Sequence, residues 1–537
     1  MAAVEMTPAA VWARLQRDGC VAGHQSDRET GKDGEWAIGE DLASWSALVT
    51  ARREQLEAYA LEHSKQHRGE GKTILVVLVA DAEPTDFLAG FWAGVLAGWT
   101  VALANPNWAK SEWQSALNQT NPSIIWSPSS TLDNLASTAE PVADLIDPIA
   151  ERSQTAKQGQ ISVNKRIQSL EAERSRSLIL IPTGGTSGQL KFACHTWATL
   201  TAAVYGFARY FQPKNTPINA YCVLPLYHVS GLMQALRTWL TGGQLAIAAF
   251  KDLLCAQPDS QSDAQSNSAL LPPYTYLSLV PTQLSRLIDA EKSSWLRQFH
   301  AVLLGGAPPW PALLDRAASH RIPLCLTYGM TETGAMVSAM RSPDFSLDTA
   351  YPLTSGWPMP HATIQIEESG KPLPRGETGQ VVVTSNAIAH GYYSAPSPRF
   401  KGRTLYTDDL GYLDRDGRLH ITGRASSKII SGGENIFPSE VETALWRTGQ
   451  VLDVCVVGLP DADWGEVVGA AYVPRHQAVS TDSLRVALDN GNQLSRYKYP
   501  KRWFALETLP KNAQGKINHL ALRSRLARLT SHPTEDQ

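Results

Sequence analysis

The chain has 537 residues, and at about 100–200 residues per domain that is too long for one ordinary hydrophobic core. It is 43% hydrophobic and 18% charged, with a formal net charge of −3. This is the composition of a globular protein, and with no basic field and no acidic tail it argues against a nucleic-acid partner. The six cysteines (Cys20, Cys194, Cys222, Cys255, Cys325, Cys455) form no CxxC pair. They point to thiols in a reducing compartment rather than to a zinc site or a disulfide scaffold.

The N-terminal Met1-Ala2-Ala3-Val4-Glu5 lacks a basic stretch followed by an apolar run, so a cytoplasmic protein is expected. Short apolar runs predict buried strands at 73–80, 101–104, 123–126, 178–181, 221–224, 301–304 and 324–327. Helical periodicity lies between many of them, as at 86–98 and 197–210. Residues 87–104 carry no charge, but a bilayer needs roughly 17–25 apolar residues and this run breaks into a helix and a strand. It is read as buried core. Strands alternating with helices indicate α/β architecture, with mostly parallel sheets covered on both faces and ligands beyond the carboxyl ends of strands. The polar stretch 257–268 is read as a surface loop.

The texture changes after Gly423. Ser431-Gly432-Gly433 predicts a turn, and Phe437-Pro438-Ser439 leads into a helix for which Ser439 and Glu442 are the expected capping box. Strands at 454–457 and 470–473, a polar helix and a last strand near 502–506 complete a small α+β domain. The boundary is placed between Arg424 and Lys428, giving domains 1–425 and 426–537.

Four segments carry chemistry. Ile181-Pro182-Thr183-Gly184-Gly185-Thr186-Ser187-Gly188-Gln189-Leu190-Lys191 predicts a strand, a loop of glycines and hydroxyls, a lysine and then a helix. Glycines let backbone N–H groups approach phosphate oxygens, and Lys191 adds a point charge. It is not a P-loop, because Gln189-Leu190 separate the last glycine from the lysine. Thr327-Tyr328-Gly329-Met330-Thr331-Glu332 offers an aromatic face, hydroxyls and a carboxylate suited to Mg²⁺ shared with phosphates. Tyr406-Thr407-Asp408-Asp409-Leu410-Gly411 places acids at an expected strand end, where a carboxylate can accept ribose hydroxyls. Pro510-Lys511-Asn512-Ala513-Gln514-Gly515-Lys516 puts a lysine on a glycine-hinged loop. Each alone has a plain explanation as a turn, a cap or a solvated side chain.

In this order, from about residue 40 to 525, the segments resemble the acyl-adenylate-forming superfamily of acyl-CoA ligases, adenylation domains and beetle luciferases. The resemblance implies a large N-terminal domain, a small mobile C-terminal domain and an active site between them. It implies ATP and coenzyme A as cosubstrates and Mg²⁺ as cofactor. Thr183, Gly184, Gly185, Thr186, Ser187, Gly188 and Lys191 match the phosphate loop. Gly305, Gly306 and Ala307 match the loop beside the adenine, and Tyr328, Gly329, Thr331 and Glu332 the adenine and metal motif. Asp409 and Arg424 match the ribose pair, Lys516 the catalytic lysine, and Ser431, Gly432 and Gly433 the pantetheine path. The chain departs from the pattern at Leu190-Lys191-Phe192, at Asp408 in place of glycine, at the hinge residue Ser426 and at Asn518.

Pro225-Leu226-Tyr227-His228-Val229-Ser230-Gly231 has an aromatic–histidine pair where amino-acid adenylation domains carry an acid. That is the pattern of acyl- and aryl-CoA ligases. With Leu236-Arg237, Val280-Pro281-Thr282-Gln283-Leu284 and Leu303-Leu304-Gly305-Gly306-Ala307, the chain is most similar to the o-succinylbenzoate–CoA ligase family of menaquinone and phylloquinone synthesis. A second, unreacting carboxylate requires a cation or donors, for which Arg237 and Thr282 are the candidates. Tyr227 and His228 would wall the ring. The plain alternative for Arg237 is a surface salt bridge. Other aryl or medium-chain acids, a carrier-protein acceptor and a nucleotide-binding protein without catalysis remain as alternatives.

Overall fold

The computed structural model describes residues 7–18, 22–24, 42–66, 74–128, 177–184, 190–212, 216–255, 271–340, 354–393, 396–491, 494–511 and 517–531. The loop expected at 257–268 lies outside them. Two sheets with helices between them form the larger part. In the first, Ile124–Trp126, Val76–Val79, Thr100–Leu103 and Leu178–Gly184 run parallel, and Leu190–Thr196 closes the edge antiparallel. In the second the order is Ala22–His24, Leu245–Ile247, Asn219–Cys222, Thr275–Leu279, Ala301–Leu304, Leu324–Met330, Ala335–Ala339 and Trp357–Pro358. Pairing there is parallel as far as Leu324–Met330 and antiparallel beyond it.

Helices Pro84–Ala97, Trp197–Phe211 and Val229–Thr241 contribute to one core with residues of both sheets, including Val77, Ile179, Ala220 and Leu245. A helix apolar on every side must be buried on every side, and Pro84–Ala97 is buried continuously from Phe87 to Val95. The uncharged run thus divides as expected into helix and strand. No described helix is long and apolar enough to cross a membrane.

A third sheet went unread in the sequence. Six antiparallel strands spanning residues 362–424 pack Ile364, Ile366, Val381, Val383 and Leu405 into a separate core. Asp409 sits within its ten-residue strand Thr404–Leu413 rather than at a strand end. The register shifts between Leu410 and Gly411, opposite Leu419–Arg424.

The turn Ala425–Ser427 leads to the fourth sheet, which carries helices Pro438–Arg447, Thr481–Gly491 and His519–Ser531. The expected Ser439–Glu442 capping box is not formed. The helix starts earlier, and the Phe437 N–H donates to Glu440 Oε1 at 3.0 Å. Ser439 Oγ donates instead to the Thr422 carbonyl. Trp310 and Trp446 stack at 4.6 Å, joining the second sheet's helical layer to the C-terminal part.

Candidate active site

The carboxyl ends of Leu178–Gly184, Ala301–Leu304 and Leu324–Met330 carry the sequence motifs. Thr183 pairs with Lys191 and Gly184 with Leu190, so a β-hairpin brackets the glycine-rich loop. Lys191 therefore lies on a strand, and the helix starts only at Trp197. This corrects the expected lysine-to-helix step. Gly185, Thr186, Ser187 and Gly188 lie outside the described residues.

The Lys191 ammonium stands 5.2 Å from the centre of the Tyr392 ring. Tyr392 in turn donates its hydroxyl to Glu332 Oε1 at 2.6 Å. Burial, then the Glu332 charge, pushes the phenol pKa up, so it remains a donor. Tyr392 was missed in the sequence; its only local signal is an aromatic pair after Gly391. It reaches the site because it bridges Ala193 on the hairpin's second strand.

Glu332 is 6% exposed, and among the described residues only Tyr392 donates a hydrogen bond to its carboxylate, at Oε1. No cluster of three or more metal-ligating side chains occurs among the described residues. The other carboxylate oxygen fits Mg²⁺ held largely by nucleotide phosphates, which needs no protein cage. Behind Glu332, His195 Nε2 donates to the Thr331 carbonyl at 2.7 Å, and Nδ1 lies 3.0 Å from the Thr199 hydroxyl. Burial pushes His195 down to about 4, so it stays neutral and holds that backbone in place.

On the nucleoside side, Gly305-Gly306-Ala307 turns off its strand with Gly306 at φ +79°. Tyr328 donates to Asp409 Oδ2 at 2.7 Å, and Arg424 Nε to Oδ1 at 3.0 Å. Burial first, then the Asp409 charge, raises the Tyr328 pKa well above its ordinary value. Asp409 is 6% exposed while the Arg424 side chain is 53% exposed, so the carboxylate is fixed and the arginine faces outward. A carboxylate has about four acceptor positions, so two remain for ribose hydroxyls. The hinge candidate Ser426 binds Asp408 with both its N–H (3.2 Å) and its hydroxyl. Two of the departures from the family pattern, Asp408 and Ser426, are thus partners.

On the acyl side Tyr227 and His228 meet edge to face at 4.5 Å, at the start of the helix Val229–Thr241. Burial raises the Tyr227 pKa to about 12. Arg237, two turns further on, is 4% exposed and has no carboxylate partner among the described residues. A surface salt bridge is excluded. Its guanidinium lies 4.1 Å above the Phe207 ring, Nε has no hydrogen-bond partner, and burial pushes its pKa down to about 9. Arg237 acts electrostatically on Tyr276, near the start of the strand Thr275–Leu279, whereas Thr282 follows that strand's end.

Ser431 ends a strand, and Gly432 and Gly433 turn with φ of +59° and +88°. Lys516 lies outside the described residues, but the base of its loop is set. Lys511 bridges Ile517, the Asn518 N–H donates to the Pro510 carbonyl at 2.8 Å, and Lys511 Nζ pairs with Asp453 at 2.6 Å.

Comparison with known proteins supplies the family. Residues 60–393 match the AMP-binding enzyme family, and residues 440–516 match its C-terminal domain. The chain belongs to the AMP-binding enzyme family. Among curated family members, the 2-succinylbenzoate–CoA ligase of Geobacillus kaustophilus is 32% identical over 351 residues, 65% of this chain and 68% of that protein. The one from Bacillus cereus is 29% identical over 357 residues, 66% of this chain and 71% of that one. The fold matches Bacillus subtilis o-succinylbenzoate CoA synthetase bound to its acyl-adenylate, with TM-score 0.72, 24% identity and coverage of 96% and 97%. It also matches ATP-bound MatB of Rhodopseudomonas palustris, with TM-score 0.73, 21% identity and coverage of 97% and 99%.

Proposed function

We propose that this chain is an AMP-forming acid–CoA ligase that converts 2-succinylbenzoate to its CoA thioester, with residues 1–425 binding acid and ATP and residues 426–537 forming a lid. The observation that carries the substrate is Arg237, a buried cation with no anion among the described residues. Leaving such a charge uncompensated costs several kcal/mol, and a ligand carboxylate would offset that cost. The names of the curated family members support the same acid.

The acid's succinyl carboxylate attacks the α-phosphorus, the bond to pyrophosphate breaks, and acyl-AMP forms. The thiol of CoA then attacks the acyl carbon and AMP leaves. Catalysis in the first step is positioning plus charge stabilisation, since no enzyme atom becomes bonded. Thr183, Lys191 and the glycine-rich loop would hold phosphate oxygens, and Asp409 with Arg424 the ribose. Lys516 would touch both reacting groups. Glu332, oriented by Tyr392, would hold Mg²⁺, which supplies charge neutralisation at the phosphates when bound.

The test is ATP–pyrophosphate exchange against a panel of aryl and aliphatic acids, followed by product analysis with and without CoA. Exchange selective for 2-succinylbenzoate, with a thioester formed only when CoA is added, is expected. Exchange driven better by a monoacid would replace the substrate, and absence of exchange with every acid would remove the ligase reading.

A further inference from the structure

The helix Trp197–Phe211 links the adenylate end of the site to Arg237 along one face. Thr199 contacts His195, which holds the Thr331 carbonyl, and eight residues later Phe207 carries the Arg237 guanidinium. Positions i, i+7 and i+8 share a helical face, and eight residues rise about 12 Å. Between them stands Gly206, and it faces His361. A Cβ on Gly206 would fall 1.8 Å from His361 Nδ1, so only glycine admits the imidazole here.

His361 has no role in any reading so far. Both of its ring nitrogens are buried with no hydrogen-bond partner among the described residues, and the Met336 backbone beside it only partly offsets the effect of burial on its pKa. Burial first and the Arg237 charge second push it down to about 4, so it is neutral, with one N–H to donate. Arg237 Nε is orphaned in the same neighbourhood. Buried polar groups are nearly always satisfied, and leaving these atoms bare is unfavourable, the more so where charge is involved. The Tyr276 hydroxyl beside them is already used, donating to the Phe211 carbonyl at 3.1 Å.

We propose that Arg237 and His361 together seat the substrate's second, unreacting carboxylate, with His361 as its neutral donor. This rests on the diacid reading above. The guanidinium supplies charge and the imidazole direction, so a diacid is preferred over a monoacid of the same shape.

The test compares 2-succinylbenzoate with 4-oxo-4-phenylbutanoate, the same molecule without its ring carboxylate, in adenylation by wild type, His361→Leu, His361→Gln and Arg237→Ala. In His361→Leu the ratio of the two kcat/KM values should fall by about 10- to 100-fold, the scale of one hydrogen bond to a charged group, with the change in KM. His361→Gln, which keeps a donor, should recover part of it. Thermal unfolding gives a readout without turnover: 2-succinylbenzoate alone should raise the wild-type midpoint more than that of His361→Leu. The ligand-free midpoint of His361→Leu checks its fold. A ratio lowered by Arg237→Ala but untouched by His361→Leu overturns the inference and leaves the proposed function standing. A wild type that shows no preference for the diacid removes both.

Discussion

Single side chains here are fixed by what they touch more than by their own type. Tyr392→Phe removes the hydrogen bond from Tyr392 that orients Glu332, and a bond to a charged acceptor is worth about 1.5–3 kcal/mol. Pyrophosphate exchange should fall about tenfold or more, with the KM for Mg-ATP rising; unchanged kinetics would show that Glu332 needs no brace. His195 gives a pH prediction. Its folded pKa, about 4, lies below the ordinary 6.5, so the unfolded chain takes up the proton first as pH falls. The stability that neutral His195 contributes is complete above about 6.5 and is lost toward 4, by about 3 kcal/mol. The gap in unfolding free energy between wild type and His195→Asn should therefore narrow across that window. A constant gap would contradict the burial argument.

Elements were legible where one physical signal dominated. The strand Ala301–Leu304 coincides with its apolar run, and the helix Pro84–Ala97 was bounded within two residues by the uncharged stretch. The antiparallel sheet was not legible, because strands buried on one face alternate and never form a continuous apolar run. Lys191 was placed before a helix for a related reason. The spacing of glycine and lysine says nothing about whether the chain turns back as a strand, and here pairing from Thr183↔Lys191 to Leu178↔Thr196 decides it. Tyr392 and His361 reach the site only through tertiary contacts, which no local motif encodes. The Asp408–Ser426 contact gives an element-scale prediction. Asp408→Gly removes both hydrogen bonds from Ser426 that tie the 425–427 turn to the strand Thr404–Leu413. Proteolysis between 424 and 428 should accelerate several-fold while pyrophosphate exchange persists; an unchanged cleavage rate would deny the turn any such restraint.

At the scale of the whole molecule, the proposed function gives the C-terminal part a share in adenylation through Lys516. Lys516→Ala should cut adenylation by roughly 10²–10³, the scale for one preorganised donor, and leave thioester formation from supplied acyl-adenylate largely intact. Equal loss in both halves would remove the assigned role. The Trp310–Trp446 stack ties the C-terminal part to the second sheet's layer. Aromatic pairs contribute about 0.5–1.5 kcal/mol beyond area, so Trp446→Ala should weaken that docking a few-fold. The distance distribution between spin labels on the helices Pro311–Ser319 and Thr481–Gly491 should broaden. An unaltered distribution would mean the stack does not hold the arrangement.

The central claim is that a buried arginine awaits the second carboxylate of an aryl diacid. The measurement is kcat/KM of wild type and Arg237→Ala for 2-succinylbenzoate and for the analogue lacking the ring carboxylate. The account predicts that Arg237→Ala costs the diacid about 2–5 kcal/mol of apparent binding, mostly in KM, and costs the analogue far less. Equal use of the two acids by wild type, or equal loss of both in Arg237→Ala, would contradict it.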